Sequence, residues 1–257
     1  ESRLHKGREE ENVKRLAKWV LRAVLMLLAL ALAAGLAVGA VFAVRGYNLY
    51  RQAADEMPLE QMVAEIQSQE TYVPFEDLPD LYVDAVVSVE DKRFWSHPGV
   101  DPIAICRALL YDIRTQSLAQ GGSTISQQIL KNLYFTQEKK LERKFAEVFG
   151  AFALERLCTK EEIFALYVNT IYFGSGYEGI AAAAQGYFGK EVSALDAVEC
   201  VMLAGIPNAP SAYSPDASPS LTAQRTEQVL ERMVACGTLS ERDAQALSEQ
   251  TERRLGL

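Results

Sequence analysis

Residues 90–99 have the sequence EDKRFWSHPG and follow an apolar run, LYVDAVVSV, at residues 81–89. The apolar positions of that run recur at intervals closer to 3.6 than to 2, which predicts a buried helix rather than a strand. Glu90 then lies at the helix end, where the macrodipole disfavours a negative charge. That position and the nearby rings of Phe94 and Trp95 favour a raised carboxyl pKa, which suits general acid or base chemistry. An ordinary acidic helix end before a Pro-Gly turn is the alternative interpretation.

A second polar segment, GGSTISQQILKN, occupies residues 121–132. Thr124 and Gln127 have the spacing of a capping box, so a helix is predicted to begin there. The glycine pair at 121–122 lets the backbone approach a ligand closely, and the free N–H groups of a helix start can bind an anion. An ordinary turn is the simpler explanation of the glycine pair taken alone.

A third segment, residues 141–157, has the pattern of an amphipathic helix. Its apolar stripe consists of Leu141, Phe145, Val148, Phe149 and Phe152. The opposite arc consists of Lys140, Arg143, Lys144 and Glu147. This arc is either a solvated face or a phosphate-binding face. Residues 131–160 hold seven of the 18 Lys and Arg that follow residue 45, and such a local basic cluster suits a pyrophosphate.

Together these segments resemble the first three of five signature motifs of the peptidoglycan glycosyltransferases. The other two motifs follow in the family's order, at residues 160–174 and 225–233. The resemblance implies a mainly α, lysozyme-like domain that polymerises lipid II at the membrane, either alone or as the front half of a class A penicillin-binding protein. Two positions depart from the pattern: Ala165 stands where the family usually has glutamate, and Thr226 stands where a second arginine is common.

The resemblance also implies roles for individual residues. Glu90 matches the base that takes a proton from the acceptor's sugar 4-hydroxyl, Asp91 is a supporting residue, and Glu147 matches a glutamate that assists at the leaving group or holds its partners. The residues that match contacts to the donor's sugar and pyrophosphate are Ser123, Thr124, Gln127, Gln128, Lys131, Arg143 and Lys144. The implied transfer inverts the donor C1 and forms a β-1,4 link. A divalent cation, Mg²⁺ or Mn²⁺, is compatible with the pyrophosphate, although the sequence offers no dedicated metal cage.

The first 45 residues differ in charge from the rest of the chain. They hold eight of the 26 Lys and Arg and four of the 34 Asp and Glu, which leaves 18 basic and 30 acidic residues in the remainder. Such an acidic domain is not expected to bind nucleic acid, because phosphate neutralisation needs a basic surface. The four cysteines form no CxxC pair and the chain has two histidines, so the usual spacing of a zinc site is missing.

An uncharged stretch of 22 residues, 23–44, is long enough for a transmembrane helix, which needs about 20. The positive charges of residues 1–22 predict a cytoplasmic tail. We therefore expect residues 45–70 to form a stalk and residues 71–257 to form the glycosyltransferase domain, on the outer face of a bacterial cell membrane. A buried core helix is the alternative for the apolar stretch.

Two other functions remain open from the sequence. Paired carboxylates also serve a membrane-anchored lysozyme-like hydrolase or lytic transglycosylase, and an inactive cell-wall scaffold is a third possibility. The transpeptidase elements SxxK and KTG are not found in the chain as given. The predicted partners are lipid II, the growing glycan chain and the membrane, with other cell-wall synthesis proteins as further candidates.

Overall fold

The computed structural model describes residues 2–115, 121–135 and 141–257. These ranges are built from helices and contain no β-strand, only an isolated bridge between Tyr172 and Glu178. The helices are α1 (Ser2–Glu56), α2 (Leu59–Gln67), α3 (Asp80–Glu90), α4 (Pro102–Thr115), α5 (Ile125–Tyr134), α6 (Leu141–Leu157), α7 (Lys160–Thr170), α8 (Ile180–Phe188), α9 (Ala197–Gly205), α10 (Pro210–Tyr213), α11 (Pro219–Cys236) and α12 (Glu241–Leu255). The prediction of a mainly α chain is confirmed.

The core is centred on α7 and α9. Residues 163–168 of α7 and 198–205 of α9 are all buried, so neither stretch has a solvent-facing side. Around them α3 packs against α9 and α11, and α5 packs against α6 and α7. This arrangement brings the C-terminal end of α3 and the start of α5 to one side of the core, where the predicted site residues lie.

The helix starts near the site follow local chemistry. The side chains of Thr124 and Thr159 each accept a hydrogen bond from the backbone N–H three residues later. The side chains of Gln127 and Glu162 in turn accept one from the backbone N–H of the threonine, so both capping boxes are formed. At the other end of a helix, Gly237 stops α11 with a left-handed backbone, φ 78°, that favours glycine. The predicted start of α5 is confirmed.

α1 runs unbroken through the predicted transmembrane stretch and continues to Glu56. It is long and apolar enough to cross a membrane, and its most apolar window is not buried. Beyond it, α2 lies within the predicted stalk but buries Leu59, Met62, Val63 and Ile66 in the core. These positions recur at i, i+3, i+4 and i+7, which gives α2 one continuous apolar face. Residues 59–67 are therefore part of the folded domain.

α6 differs from its amphipathic pattern. Its buried side consists of Ala146, Glu147, Gly150, Ala151 and Leu154. Of the apolar stripe, Phe149 stacks edge-on against Tyr47 of α1 with ring centroids 5.3 Å apart, whereas Leu141 and Phe152 are 61% and 37% exposed. The reason is tertiary: α1 packs along the stripe and α5 packs against the side that carries the small residues. Lys140 lies outside the described residues.

Candidate active site

A cavity of about 600 Å³ opens between α3, α5, α6 and α11. Six of the nine predicted site residues line it, namely Glu90, Ser123, Gln127, Gln128, Lys131 and Glu147. Among the described residues, two carboxylates and five basic side chains form its charged wall. The basic side chains are Lys92, Arg107, Lys131, Arg225 and Arg232. The cavity is thus locally basic in a chain of net charge −8, and such a concave basic surface attracts an anion.

Glu90 is the last residue of α3, and its side chain is 12% exposed. Gln128 Nε2 donates a hydrogen bond to Glu90 Oε2 at 2.8 Å, and Arg225 Nη2 lies 4.0 Å from Oε1. Burial raises the pKa of Glu90 above its ordinary value, although Gln128, Arg225 and Lys131 partly counteract that rise. A carboxylate that is buried but still reached from the cavity, with a raised pKa, is suited to proton transfer.

Asp91 has a different environment from its neighbour. Its buried carboxylate lies 2.8 Å from His97 Nε2 and accepts a hydrogen bond from the Ile125 backbone N–H at 3.0 Å. His97 Nδ1 accepts from the Gly99 N–H, which leaves the proton on Nε2 to be donated to Asp91. Thr124 Oγ1 donates to the Gly99 carbonyl at 2.6 Å. These bonds fasten the segment after Glu90 to the start of α5, so Asp91 lies in a supporting position.

Thr124 and Gln127, both predicted to contact the donor, are almost completely buried. The Thr124 side chain is used by the capping box and by Gly99, and it does not line the cavity. Gln127 lines the cavity, but its Oε1 accepts from the Thr124 backbone N–H at 3.1 Å. In this structure both side chains shape the start of α5.

Glu147 is buried on α6 between two cationic side chains. Arg143 Nε lies 3.1 Å from Glu147 Oε1, and Lys144 Nζ lies 2.7 Å from Oε2. Lys144 also donates to Ser123 Oγ at 2.5 Å, which joins α6 to the glycine-rich segment before α5. Because each of its two oxygens contacts one of these cations, the Glu147 carboxylate is placed to hold Arg143 and Lys144 in position.

The structure adds Lys92, Arg107, Asn208, Arg225 and Arg232 to the cavity wall. Two contacts position the Arg225 side chain. Its Nε donates to the Gly205 carbonyl at 3.1 Å, and its guanidinium lies over the Tyr213 ring. Burial lowers the pKa of Arg225, while the charge of Glu90 opposes that shift. The sequence signal for Arg225 was its place at the start of the fifth motif. Arg107 and Asn208 lie outside the five motifs.

No group of three or more His, Cys, Asp or Glu within the described ranges could hold a metal ion. The two carboxylates on the wall are already engaged, Glu90 by Gln128 and Glu147 by Lys144. The described residues therefore do not fit a divalent cation held by the protein. The cation at the pyrophosphate stays a prediction.

Comparisons with known proteins are consistent with this site. The transglycosylase family model matches residues 56–234. A Cupriavidus necator protein whose name describes it as a transglycosylase is 43% identical over 169 residues, which cover 66% of this chain and 73% of that protein. Penicillin-binding protein 1A of Aquifex aeolicus is 45% identical over 169 residues, which cover 66% of this chain and 23% of that protein.

A crystal structure of penicillin-binding protein 1A from Haemophilus influenzae aligns with a TM-score of 0.41 and 24% identity over 69% of this chain and 17% of that one. The chain thus spans only 23% and 17% of the lengths of these two penicillin-binding proteins. The family match covers more than half of the chain and contains all five motif segments. On that evidence the chain belongs to the peptidoglycan glycosyltransferase family.

Proposed function

We propose that this protein polymerises lipid II into β-1,4-linked glycan strands while anchored in the membrane by α1. The observation that carries the proposal is Glu90, buried with a raised pKa on the wall of a cavity that also holds five basic side chains. A base and a cationic surface in one cavity are what a glycosyl transfer from a pyrophosphate-linked donor requires. Membership of the family supports the same class of reaction.

The basic wall would bind the donor through its pyrophosphate. Negative charge grows on that group as the bond between C1 and the phosphate oxygen breaks. Fixed cations stabilise this charge more in the transition state than in the bound donor. Arg225 and Arg232 have planar guanidinium groups that can grip phosphate oxygens in pairs, and Lys131 adds a point charge.

Glu90 would act on the acceptor. Its carboxylate takes the proton of the acceptor's 4-hydroxyl as that oxygen forms a bond to C1 of the donor. The bond from C1 to the pyrophosphate breaks on the opposite face, so the configuration at C1 inverts and undecaprenyl pyrophosphate leaves. Gln128 donates to Glu90 Oε2 and orients the carboxylate, which leaves Oε1 directed toward Arg225.

A hydrolase or lytic transglycosylase is the second candidate, because water or an internal hydroxyl could replace the acceptor at the same carboxylate. That chemistry expels a sugar hydroxyl and not a pyrophosphate, so it does not need a phosphate-binding wall. Five basic side chains in the cavity of an otherwise acidic domain favour the phosphate-linked donor. The product decides: a transferase lengthens glycan chains from lipid II, and a lytic enzyme shortens existing strands.

The direct test is polymerisation of labelled lipid II by the full chain in detergent. Glu90→Gln keeps the size of the side chain but cannot accept a proton, so we expect a loss of about 100- to 10,000-fold, roughly 3–5 kcal/mol of barrier. Asp91→Asn is the neighbouring control and should keep far more activity. A folded Glu90→Gln variant that polymerises at the wild-type rate would move the base to Glu147. Shortened strands and no polymer from the wild type would favour the lytic enzyme.

A further inference from the structure

α1 approaches α6 closely at Gly46, which is buried. A Cβ atom placed on Gly46 would overlap Phe145 Cβ and would lie 2.8 Å from the Glu142 carbonyl oxygen and 2.9 Å from the Ala146 nitrogen. Two of these three neighbours are backbone atoms that cannot rotate away. Only glycine therefore permits this contact between the two helices.

Further contacts fix the two helices on both sides of Gly46. Arg45 Nη1 lies 3.3 Å from Glu142 Oε1, and the rings of Tyr47 and Phe149 meet edge to face. One turn further along α6, Gly150 has no side chain, which allows α1 and α5 to pack closely against it. The joint between the predicted membrane helix and the folded domain is thus a packed contact and not a flexible linker.

The turn of α6 that Gly46 contacts is also the turn that carries the cationic pair. Glu142, Phe145 and Ala146 face α1, while Arg143 and Lys144 point to Glu147 and Ser123. A shift of this turn relative to α1 would move the two cations by the same amount, because a helical turn is held together by its own hydrogen bonds.

The depth of this turn relative to a bilayer follows from helix geometry. Gly46 lies two residues beyond the uncharged stretch 23–44, which is about 3 Å at ~1.5 Å per residue. Each polar headgroup layer is roughly 5–7 Å thick, from a hydrocarbon core of about 30 Å within a bilayer of about 40–45 Å. With residues 23–44 in the hydrocarbon core, Gly46 and the turn of α6 that it contacts would lie within the headgroup layer.

We infer that Gly46 is a positioning residue, which docks α1 on α6 and so sets the depth, relative to a donor held in the membrane, of the cationic turn and of the cavity residues that it contacts, Glu147 and Ser123. This inference rests on the proposed function. It adds that the contact between α1 and α6 at Gly46 sets the site at the depth of its membrane-held substrate. It makes a specific distinction: losing the contact at Gly46 impairs the reaction with a donor held in a bilayer and spares the reaction with a donor free in water.

The experiment compares Gly46→Leu with Gly39→Leu in reconstituted vesicles. Gly39 lies on the same helix, and no described atom is within 4 Å of a Cβ placed there, so it controls for added bulk on α1. Each variant receives bilayer-embedded lipid II or a water-soluble analogue with a short prenyl chain. We expect Gly46→Leu to lose about 10- to 100-fold of its rate with bilayer lipid II, to keep its rate with the soluble analogue, and Gly39→Leu to keep both.

Each other outcome has a defined meaning. An unchanged rate of Gly46→Leu on bilayer lipid II overturns the inference, and an equal loss on both substrates assigns Gly46 to general folding, which also overturns it. A wild type that polymerises neither substrate contradicts the proposed function instead. In that case the docking is tested without activity, by the bilayer depth of a spin label on Leu141→Cys after the native cysteines are replaced. Gly46→Leu should change that depth, and an unchanged depth would refute the docking.

Discussion

At the scale of single residues, three carboxylates of the site differ through their partners. Glu90 has one close neutral donor, the amide of Gln128, and retains access to the cavity. Asp91 is buried and shared between His97 and a backbone N–H, and Glu147 is buried between two cations. The first arrangement leaves a carboxylate without a cation in direct contact, whereas the other two carboxylates hold neighbouring groups in place.

The hydrogen bond from Gln128 gives a pH prediction. It stabilises the ionised form of Glu90 and so lowers the pKa of that carboxyl, against the larger rise caused by burial. Gln128→Ala removes the bond, so the pKa of Glu90 should rise further. The acidic limb of kcat/KM for lipid II polymerisation should then move to higher pH, because the base must be ionised to accept a proton.

The matched control is Gln245→Ala, at an exposed glutamine of α12 far along the chain. Its pH profile should coincide with that of the wild type. The position of the limb is the diagnostic quantity, since Gln128 is also a predicted substrate contact and its loss can lower the rate at every pH. A limb that stays in place or moves to lower pH in Gln128→Ala would be incompatible with Glu90 as the titrating base.

Sequence reasoning reached Glu90 because its position at a helix end is a local property. The burial of Thr124 and Gln127 was not predicted, because a capping side chain and a ligand-binding side chain have the same chemistry. The hydrogen bond from Thr124 to the Gly99 carbonyl, which distinguishes the two roles, forms only in the folded chain. Arg107 and Asn208 could not be predicted from the sequence, because only tertiary packing brings them to the cavity.

At the scale of elements, the helix starts were predictable and the faces of α6 were not. A capping box depends on four consecutive residues, so α5 begins where the pattern predicted. The buried face of α6 depends on two long-range neighbours, and α1 takes the aromatic side while the core takes the small residues. A periodic pattern identifies an apolar stripe but not which helix covers it.

The cationic turn of α6 gives the second prediction. Lys144→Ala removes the ammonium group that reaches both Glu147 and Ser123, so a phosphoglycolipid mimic of the donor should bind about tenfold more weakly. Binding can be measured by fluorescence anisotropy of a labelled mimic in detergent.

Arg156→Ala is the control on the same helix, because Arg156 is exposed and lines a groove against α1 instead of the cavity. Its affinity for the mimic should equal that of the wild type. If the wild type, Lys144→Ala and Arg156→Ala all bind the mimic with equal affinity, the polar arc of α6 is a solvated face and does not bind phosphate.

At the scale of the whole molecule, α12 is attached by a charge network beyond the family match. Arg254 makes paired contacts with Asp196 at 3.1 and 2.8 Å and reaches the buried Glu199, whereas the adjacent Arg253 has only an exposed partner, Glu249. Arg254→Ala should therefore lower the free energy of unfolding by up to about 1 kcal/mol, and Arg253→Ala by less than about 0.5 kcal/mol. Urea unfolding of both variants measures the difference, and equal values would show that the network adds nothing.

The orientation of the whole chain gives a further prediction. The basic residues of 1–22 should keep the N-terminus in the cytoplasm, which puts the domain after residue 45 on the outer side. Protease added to intact cells or spheroplasts should then degrade the domain and spare a tag at the N-terminus. If the protease removes the tag and leaves the domain intact, the orientation is the opposite one and the domain cannot reach an extracellular substrate.

The unbroken course of α1 has a consequence for how the protein meets a second membrane-bound molecule. A domain on a slack tether tumbles, and each productive encounter must first arrest that tumbling. A domain packed onto its own membrane helix is left mainly with lateral diffusion and spin about the bilayer normal. The orientational entropy of the encounter is then largely lost in advance, during folding and insertion, so that the search for the next substrate becomes two-dimensional.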